Sequence, residues 1–253
     1  MEPSIQAVVP AAGYGVIQEG KTKLVEPIRN KALICHTLEI LQASGFDQPV
    51  IVINHRFGGQ IVVVTKEYSC LYAKQDERKG TADAVFRALP LISAKHLLVI
   101  YPDMPLWSPQ TIKELIATHF RLEAVITIVK VSLVGEYEQC LSRYGRILRD
   151  EKGKIVKIAE PDELNPETLS QLKECHPSLF CFQKEWFASA ISQISPICKK
   201  DNFPDEMSLA KLVEIASKQN ASVGELTLTN PQEALGINTP EDYQFVTRLL
   251  AGA

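Results

Sequence analysis

QAVVPAAGYG, residues 6–15, is a short apolar run that ends in a loop of small side chains and glycine. Residues 6–10 read as a buried strand, and Ala11-Ala12-Gly13-Tyr14-Gly15 as the loop that leaves it. Outward from this stretch, residues 32–44 place Ile34, Leu38 and Leu41 on one helical face, with Gly45 where a C-terminal glycine cap belongs. Residues 50–54 and 70–73 are further strands, and residues 81–89 a helix with Ala84, Val85, Ala88 and Leu89 inward. Residues 97–101 form a buried central strand, after which Ser108-Pro109 opens a helix carrying Ile112, Leu115 and Ile116. Strands alternating with helices predict βαβ units, hence an α/β fold with a mixed, mainly parallel sheet flanked by helices.

The pattern changes after Ala124: residues 125–131, 145–149, 155–160 and 179–182 read as strands separated by longer excursions. Helical spacing returns at 206–218 and at 239–250, the latter opening with Thr239, Pro240 and Asp242 in capping-box order. No stretch rich in Gly, Ser or Pro interrupts the chain, so a single domain over 1–253 is expected. Its lobes would span about 1–122 and 123–238, with a C-terminal helix at 239–253.

With 27 basic and 30 acidic residues the formal charge is −3, which argues against a nucleic-acid partner. The six cysteines show no C-x-x-C spacing, consistent with a reducing compartment and no zinc site. The opening residues lack a signal-peptide pattern and no segment is long and apolar enough for membrane insertion, so a cytoplasmic location is expected. Oligomeric state is open.

In open parallel sheets ligands collect beyond the carboxyl ends of the strands. After the first strand, Ala11, Ala12, Gly13 and Gly15 would let backbone N–H groups approach phosphate oxygens, although a tight turn is the plain reading of such a short motif. Lys23 follows within reach as a point charge for a triphosphate, unless it is simply a solvated lysine. Asp103 ends the central strand, where a carboxylate can hold Mg2+ against phosphates or merely serve a turn.

Taken together, AVVPAAGYG, Lys23, QDERKGTADAV from Gln75, YPDMPL, YGRILRDEKGKIVKIAE from Tyr144 and GINTPEDY resemble the bacterial N-acetylglucosamine-1-phosphate uridyltransferases, within the sugar nucleotidyltransferase family. The likeness is to their N-terminal nucleotidyltransferase domain, and it implies a Rossmann-like, GT-A-like fold of the nucleotide-diphospho-sugar transferases. It also implies UTP and N-acetylglucosamine-1-phosphate as substrates, UDP-N-acetylglucosamine and pyrophosphate as products, and Mg2+ as cofactor. By the same resemblance, Lys23 binds phosphate, Gln75 reads the uracil edge, and Gly80 with Thr81 closes over the base. Gly145 and Glu160 contact the sugar phosphate and sugar hydroxyls, and Asp103 with Asn238 holds the metal.

The chain departs from that family at several places. Val16 and Ile17 stand where the family has Thr-Arg, so a guanidinium that touches the phosphates is replaced by an apolar side chain, with Lys21 nearby as a substitute. Pro102 precedes Asp103 in place of Gly, and His176-Pro177-Ser178 replaces Asn-Thr-Gly, leaving His176 as the candidate sugar contact. The chain ends at Ala253 without hexapeptide repeats, so no acetyl-CoA chemistry is expected. Two alternatives stay open: a cytidylyl- or guanylyltransferase, which VVPAAGYG also resembles, and a degenerate nucleotide-binding protein without turnover.

Overall fold

The structure is a computed structural model that describes residues 4–15, 20–194 and 207–252. The chain runs β1 (Ile5–Pro10), the two-residue strands β2 (Pro27–Ile28) and β3 (Lys31–Ala32), α1 (Leu33–Ala43), β4 (Val50–Ile53), α2 (Gly58–Val64), β5 (Leu71–Lys74), α3 (Thr81–Ala88), β6 (His96–Val99) and α4 (Pro109–Arg121). It continues with β7 (Ile126–Ser132), α5 (Glu138–Leu141), β8 (Arg146–Arg149), β9 (Ile155–Ala159), α6 (Pro166–Gln171), β10 (Glu174–Cys175), β11 (Phe180–Gln183), α7 (Lys184–Ala190), α8 (Lys211–Lys218), β12 (Val223–Thr227) and α9 (Pro240–Gly252).

Short, largely apolar runs make β1, β4 and β6 central strands, because a strand covered by helices on both faces has no side that needs polar residues. Their alternation sorts the core into two layers. Val9, Ile51, Leu98 and Cys181 join the helices α1 and α4 through Leu38 and Leu115. Val8, Val50, Leu97 and Phe182 join α3, α7 and α8 through Val85, Phe187 and Leu212. The sheet order is β5-β4-β1-β6-β11-β7-β10-β8-β9, with β12 paired to β7. The pairs β5–β4, β4–β1 and β1–β6 are parallel, while β11 runs antiparallel to both β6 and β7. The α/β expectation of a mixed sheet with a parallel centre and flanking helices is therefore met.

Local signals behave as their chemistry dictates. Gly45 donates to the Gln42 carbonyl at 3.0 Å and Phe46 to Leu41 at 2.9 Å, the paired bonds of a Schellman cap. At α9, Asp242 N–H donates to Thr239 Oγ1 at 3.2 Å and Thr239 N–H to Asp242 Oδ2 at 3.0 Å, the reciprocal capping box. The helix expected from 206 begins at Lys211; residue 206 lies outside the described residues. α2 and β12 have no counterpart in the sequence reading. No helix among the described residues is long and apolar enough to cross a membrane.

Between β6 and α4, His96 Nδ1 lies 3.0 Å from His119 Nε2, and His119 Nδ1 lies 2.8 Å from Thr127 Oγ1. Burial, reinforced by His96, pushes His119 down to about 4, and burial does the same to His176 despite its bond to the Val129 carbonyl. Both are held neutral in the fold and charge readily once unfolded. Stability is thus unaffected by them above pH 6.5 and falls as pH drops from about 6.5 to about 4, by ~3 kcal/mol per histidine at the lower end. Urea unfolding at a series of pH values should show that decline beginning near pH 6.5, above the range where carboxylates titrate; a flat response from pH 6.5 to 5 would contradict it.

Candidate active site

The strand order β5-β4-β1-β6 reverses direction at β1, so the loops after β1 and β6 splay apart and leave a crevice at their carboxyl ends. A cleft opens there, lined by residues 10–15, Lys23, Gln75, Gly80, Thr81 and Asp103. Sequence positions from four separate segments therefore meet on one surface.

The loop after β1 divides its amides between two tasks. Ala11 donates its N–H to the Val52 carbonyl at 2.8 Å, which extends the β1–β4 ladder and takes that amide away from any ligand. Ala11 itself lines the cleft, with its own N–H engaged in that ladder. The Ala12 carbonyl accepts from Asn54 Nδ2 at 2.9 Å, pinning the loop to the end of β4. Among the described residues, no backbone carbonyl accepts from the N–H groups of Gly13, Tyr14 or Gly15. Gly15 has a further role: an added Cβ would lie 3.2 Å from Lys23 Cε, so any larger residue would press the lysine stem aside by a few tenths of an ångström.

Lys23 begins a single 3-10 turn in which buried Thr22 caps Leu24 N and Leu24 enters the core. Its ammonium donates to Asp103 Oδ2 at 2.6 Å, to the Ile237 carbonyl at 2.6 Å and to Asn238 Oδ1 at 3.2 Å. The two sequence-predicted metal ligands thus converge, and Lys23 stands between them. The segment carrying Asn238 is held from both sides: Ile237 N–H donates to the Asp103 carbonyl at 2.9 Å, and Asn238 N–H to Asp242 Oδ2 at 2.9 Å. Arg143 grips the same Asp242 carboxylate with two bonds of 2.8 and 2.6 Å. Burial alone would raise Asp242, but the Arg143 guanidinium and the Asn238 and Thr239 amides outweigh it and hold the carboxyl below its usual range. Arg143 was not anticipated from the sequence. The Thr239–Asp242 box was readable, but nothing local announces a guanidinium 99 residues away.

Gln75 leaves β5 with its N–H on the Ile53 carbonyl at 2.9 Å, and Gly80 precedes α3 at φ 91°, a backbone region that disfavours any side chain. Met207 N–H donates to the Lys79 carbonyl at 2.8 Å, and Leu209 N–H to Thr81 Oγ1 at 3.1 Å, so residues 207–209 close one side of this loop. The segment 78–81 reaches back toward the first loop: the Arg78 guanidinium lies 5.6 Å from the Tyr14 ring centroid, and Arg56 sits 6.0 Å from the same ring.

A second cavity adjoins the first at Thr81 and Tyr101 and is lined by Tyr144, Gly145, Glu160, His176 and Ser178. All three sequence-predicted sugar contacts therefore line one cavity. His176 is buried, its ring tilted against that of Phe180 with centroids 4.3 Å apart, and it bonds the Val129 carbonyl through Nδ1 at 2.7 Å. With Nδ1 as donor and the ring neutral, His176 brings no positive charge to a phosphate; its Nε2, which has no partner among the described residues, is an acceptor. Ile17, the position of the missing arginine, lies outside the described residues.

A family model described as MobA-like NTP transferase domain matches residues 7–190. The bifunctional protein GlmU of Exiguobacterium sibiricum is 29% identical over 92% of this chain and 50% of its own length. That of Heliobacterium modesticaldum is 30% identical over 92% of this chain and 49% of its own length. The chain spans about half the length of the curated relatives it matches. Among solved structures, a CMP:2-keto-3-deoxy-manno-octonic acid synthetase complexed with CTP superposes with a TM-score of 0.70 at 14% identity, covering 98% of each chain. HddC from Yersinia pseudotuberculosis does so with a TM-score of 0.70 at 18% identity, covering 97% of this chain and 99% of its own. At those identities the superpositions speak for the nucleotidyltransferase fold, and the family match, which takes in β1, the Lys23 turn and β6, speaks for membership. The chain belongs to the MobA-like NTP transferase domain family.

Proposed function

We propose that this protein is a sugar-1-phosphate nucleotidyltransferase, with UTP and N-acetylglucosamine-1-phosphate as its substrates. The observation that carries the reading is the meeting of Lys23, Asp103 and Asn238 beside the Gly13–Gly15 loop, at the point where the strand order reverses. A triphosphate laid there would have loop amides and an ammonium on its phosphates, and its base against Gln75, Gly80 and Thr81. The adjoining cavity with Gly145, Glu160 and His176 would take the sugar phosphate. An oxygen of the sugar phosphate attacks the α-phosphorus in line, a P–O bond forms there, and the bond to the bridging oxygen breaks to release pyrophosphate. Such a reaction asks little covalent work of the protein; position and charge neutralisation supply the acceleration.

The donor set fits Mg2+. Three oxygens, from Asp103, Ile237 and Asn238, converge on one cationic nitrogen, and hard oxygen donors with a single carboxylate are what this ion takes when phosphates complete its shell. Asp103 and Asn238 would hold it, and when bound it would neutralise charge on the triphosphate. The UTP reading rests on the resemblance of segments 75–81 and 144–160 to the N-acetylglucosamine-1-phosphate uridyltransferases; a CTP reading is the alternative, since a synthetase complexed with CTP shares the fold.

The test is pyrophosphate release by the purified chain with Mg2+, pairing UTP, CTP, GTP and ATP with a panel of sugar-1-phosphates. Release with UTP and N-acetylglucosamine-1-phosphate is expected. Release with another pair would reassign the substrates. Silence from folded protein that still binds a triphosphate would identify a non-catalytic binder.

A further inference from the structure

The amide of Gln75 is buried, and both of its N–H groups are committed. Nε2 donates to the Gly80 carbonyl at 2.9 Å and to Asp83 Oδ2 at 2.8 Å. Neither partner can donate, so rotating the amide by half a turn would set Oε1 against two acceptors. The side chain therefore has one orientation, and the atom it can offer the cleft it lines is an acceptor, Oε1.

Asp83 is the residue that makes this choice binding. It stands in the first turn of α3, buried, where an acidic side chain is expected for its favourable contact with the helix N-terminus. Its second oxygen accepts from Arg87 Nε at 3.2 Å, one turn along the exposed side of the helix. Those two contacts would suffice for a structural acid. The bond to Gln75 is additional, and it reaches across the turn that carries Gly80 to the side chain facing the base subsite.

We propose that Asp83 is a positioning residue for base selection: by fixing Gln75 as an acceptor, it makes the cleft favour bases whose ring nitrogen carries a hydrogen over bases whose ring nitrogen is a lone pair. Uracil and thymine at N3 and guanine at N1 present the donor; cytosine at N3 and adenine at N1 present a second acceptor, which would face Oε1 unpaired. The inference rests on the nucleotidyltransferase reading above and adds to it the device, outside the base contacts themselves, that sets the preference.

Binding of UTP, GTP, CTP and ATP to the purified chain, by calorimetry or by thermal shift, tests it with three variants. Wild type should bind UTP or GTP in preference to CTP and ATP. Asp83→Leu, which removes the acceptor, should lower the UTP-to-CTP affinity ratio about tenfold, the worth of one hydrogen bond at a base edge. Asp83→Asn retains an oxygen acceptor and Arg87→Ala removes the ion pair alone, so both should keep the wild-type ratio within about twofold. A purely structural Asp83 predicts a different pattern: all variants lose stability and none changes the ratio, which would overturn the proposal. If Asp83→Leu does not fold, the wild-type ranking still decides, because preference for CTP or ATP would overturn the proposal while leaving the transferase reading intact. Wild type that binds no triphosphate would instead remove the transferase reading, and this inference with it.

Discussion

Asp103→Ala is expected to lower turnover by about 10³-fold or more while leaving the fold intact, from the loss of a charged group that acts on developing charge in a shielded cleft. The side chain emerges just beyond β6 and faces the cleft, and its contact with Lys23 at 2.6 Å is polar, so truncation opens no cavity in the core. What ties this loop to the rest of the protein is the backbone: the Asp103 carbonyl accepts from Ile237 N–H at 2.9 Å, a bond alanine retains. The variant should therefore unfold within a few degrees of wild type. Its effect should fall on kcat, with the affinity for the sugar phosphate little changed, because Gly145, Glu160 and His176 lie in the adjoining cavity. Pyrophosphate release and thermal unfolding measured on one preparation decide it. Activity within tenfold of wild type would take Asp103 out of the chemistry, and a collapsed melting temperature would make it a structural residue.

Much of the frame was readable because it rests on short-range regularities. β1, β4 and β6 are buried on both faces through most of their length and so announce themselves as largely apolar runs, and the Gly45 and Thr239–Asp242 caps are fixed by residues within one turn. Where tertiary packing outranks local preference, the sequence misleads. α2 is built from Gly58-Gly59-Gln60-Ile61-Val62-Val63-Val64, two flexible residues and a β-branched run, and it is helical because Ile61 is buried in the core beneath it. β12 is short, holds Gly224 as its second residue, and exists through its parallel pairing with β7, a partner far away in sequence.

The site shows the same division. The residue types for phosphate chemistry were legible at each strand end, and the structure brings Lys23, Asp103 and Asn238 to one point. Their relation was not legible, because it spans 80 residues in one case and 215 in the other. Nor was it legible that the amide of Ala11, a small residue beside glycines, is engaged by the ladder to β4. Spacing within a motif cannot say which of its amides the sheet has already taken.

That relation gives Lys23 two opposed effects, and Lys23→Met should separate them. The ammonium now satisfies Asp103, Asn238 and the Ile237 carbonyl, with the Lys23 and Asp103 side chains 15% and 21% exposed, so the pair is only partly screened by water. A divalent cation seeking the same oxygens must first displace it, whereas a triphosphate that draws Lys23 onto its phosphates would vacate them. On this account Lys23 makes metal binding depend on nucleotide. Methionine keeps the stem that packs beside Gly15 and removes only the charge. Without nucleotide, Mn2+ used as a spectroscopic probe should bind the variant about tenfold more tightly than wild type, equivalent to ~1.4 kcal/mol of released competition. Turnover should nevertheless fall by about 10²-fold or more, since the phosphates lose a preorganised cation. Weaker Mn2+ binding by the variant would refute the competition, and unchanged turnover would refute the phosphate contact. The two readouts move in opposite directions only if one ammonium serves both partners in turn, which a lysine engaged in a static ion pair does not do.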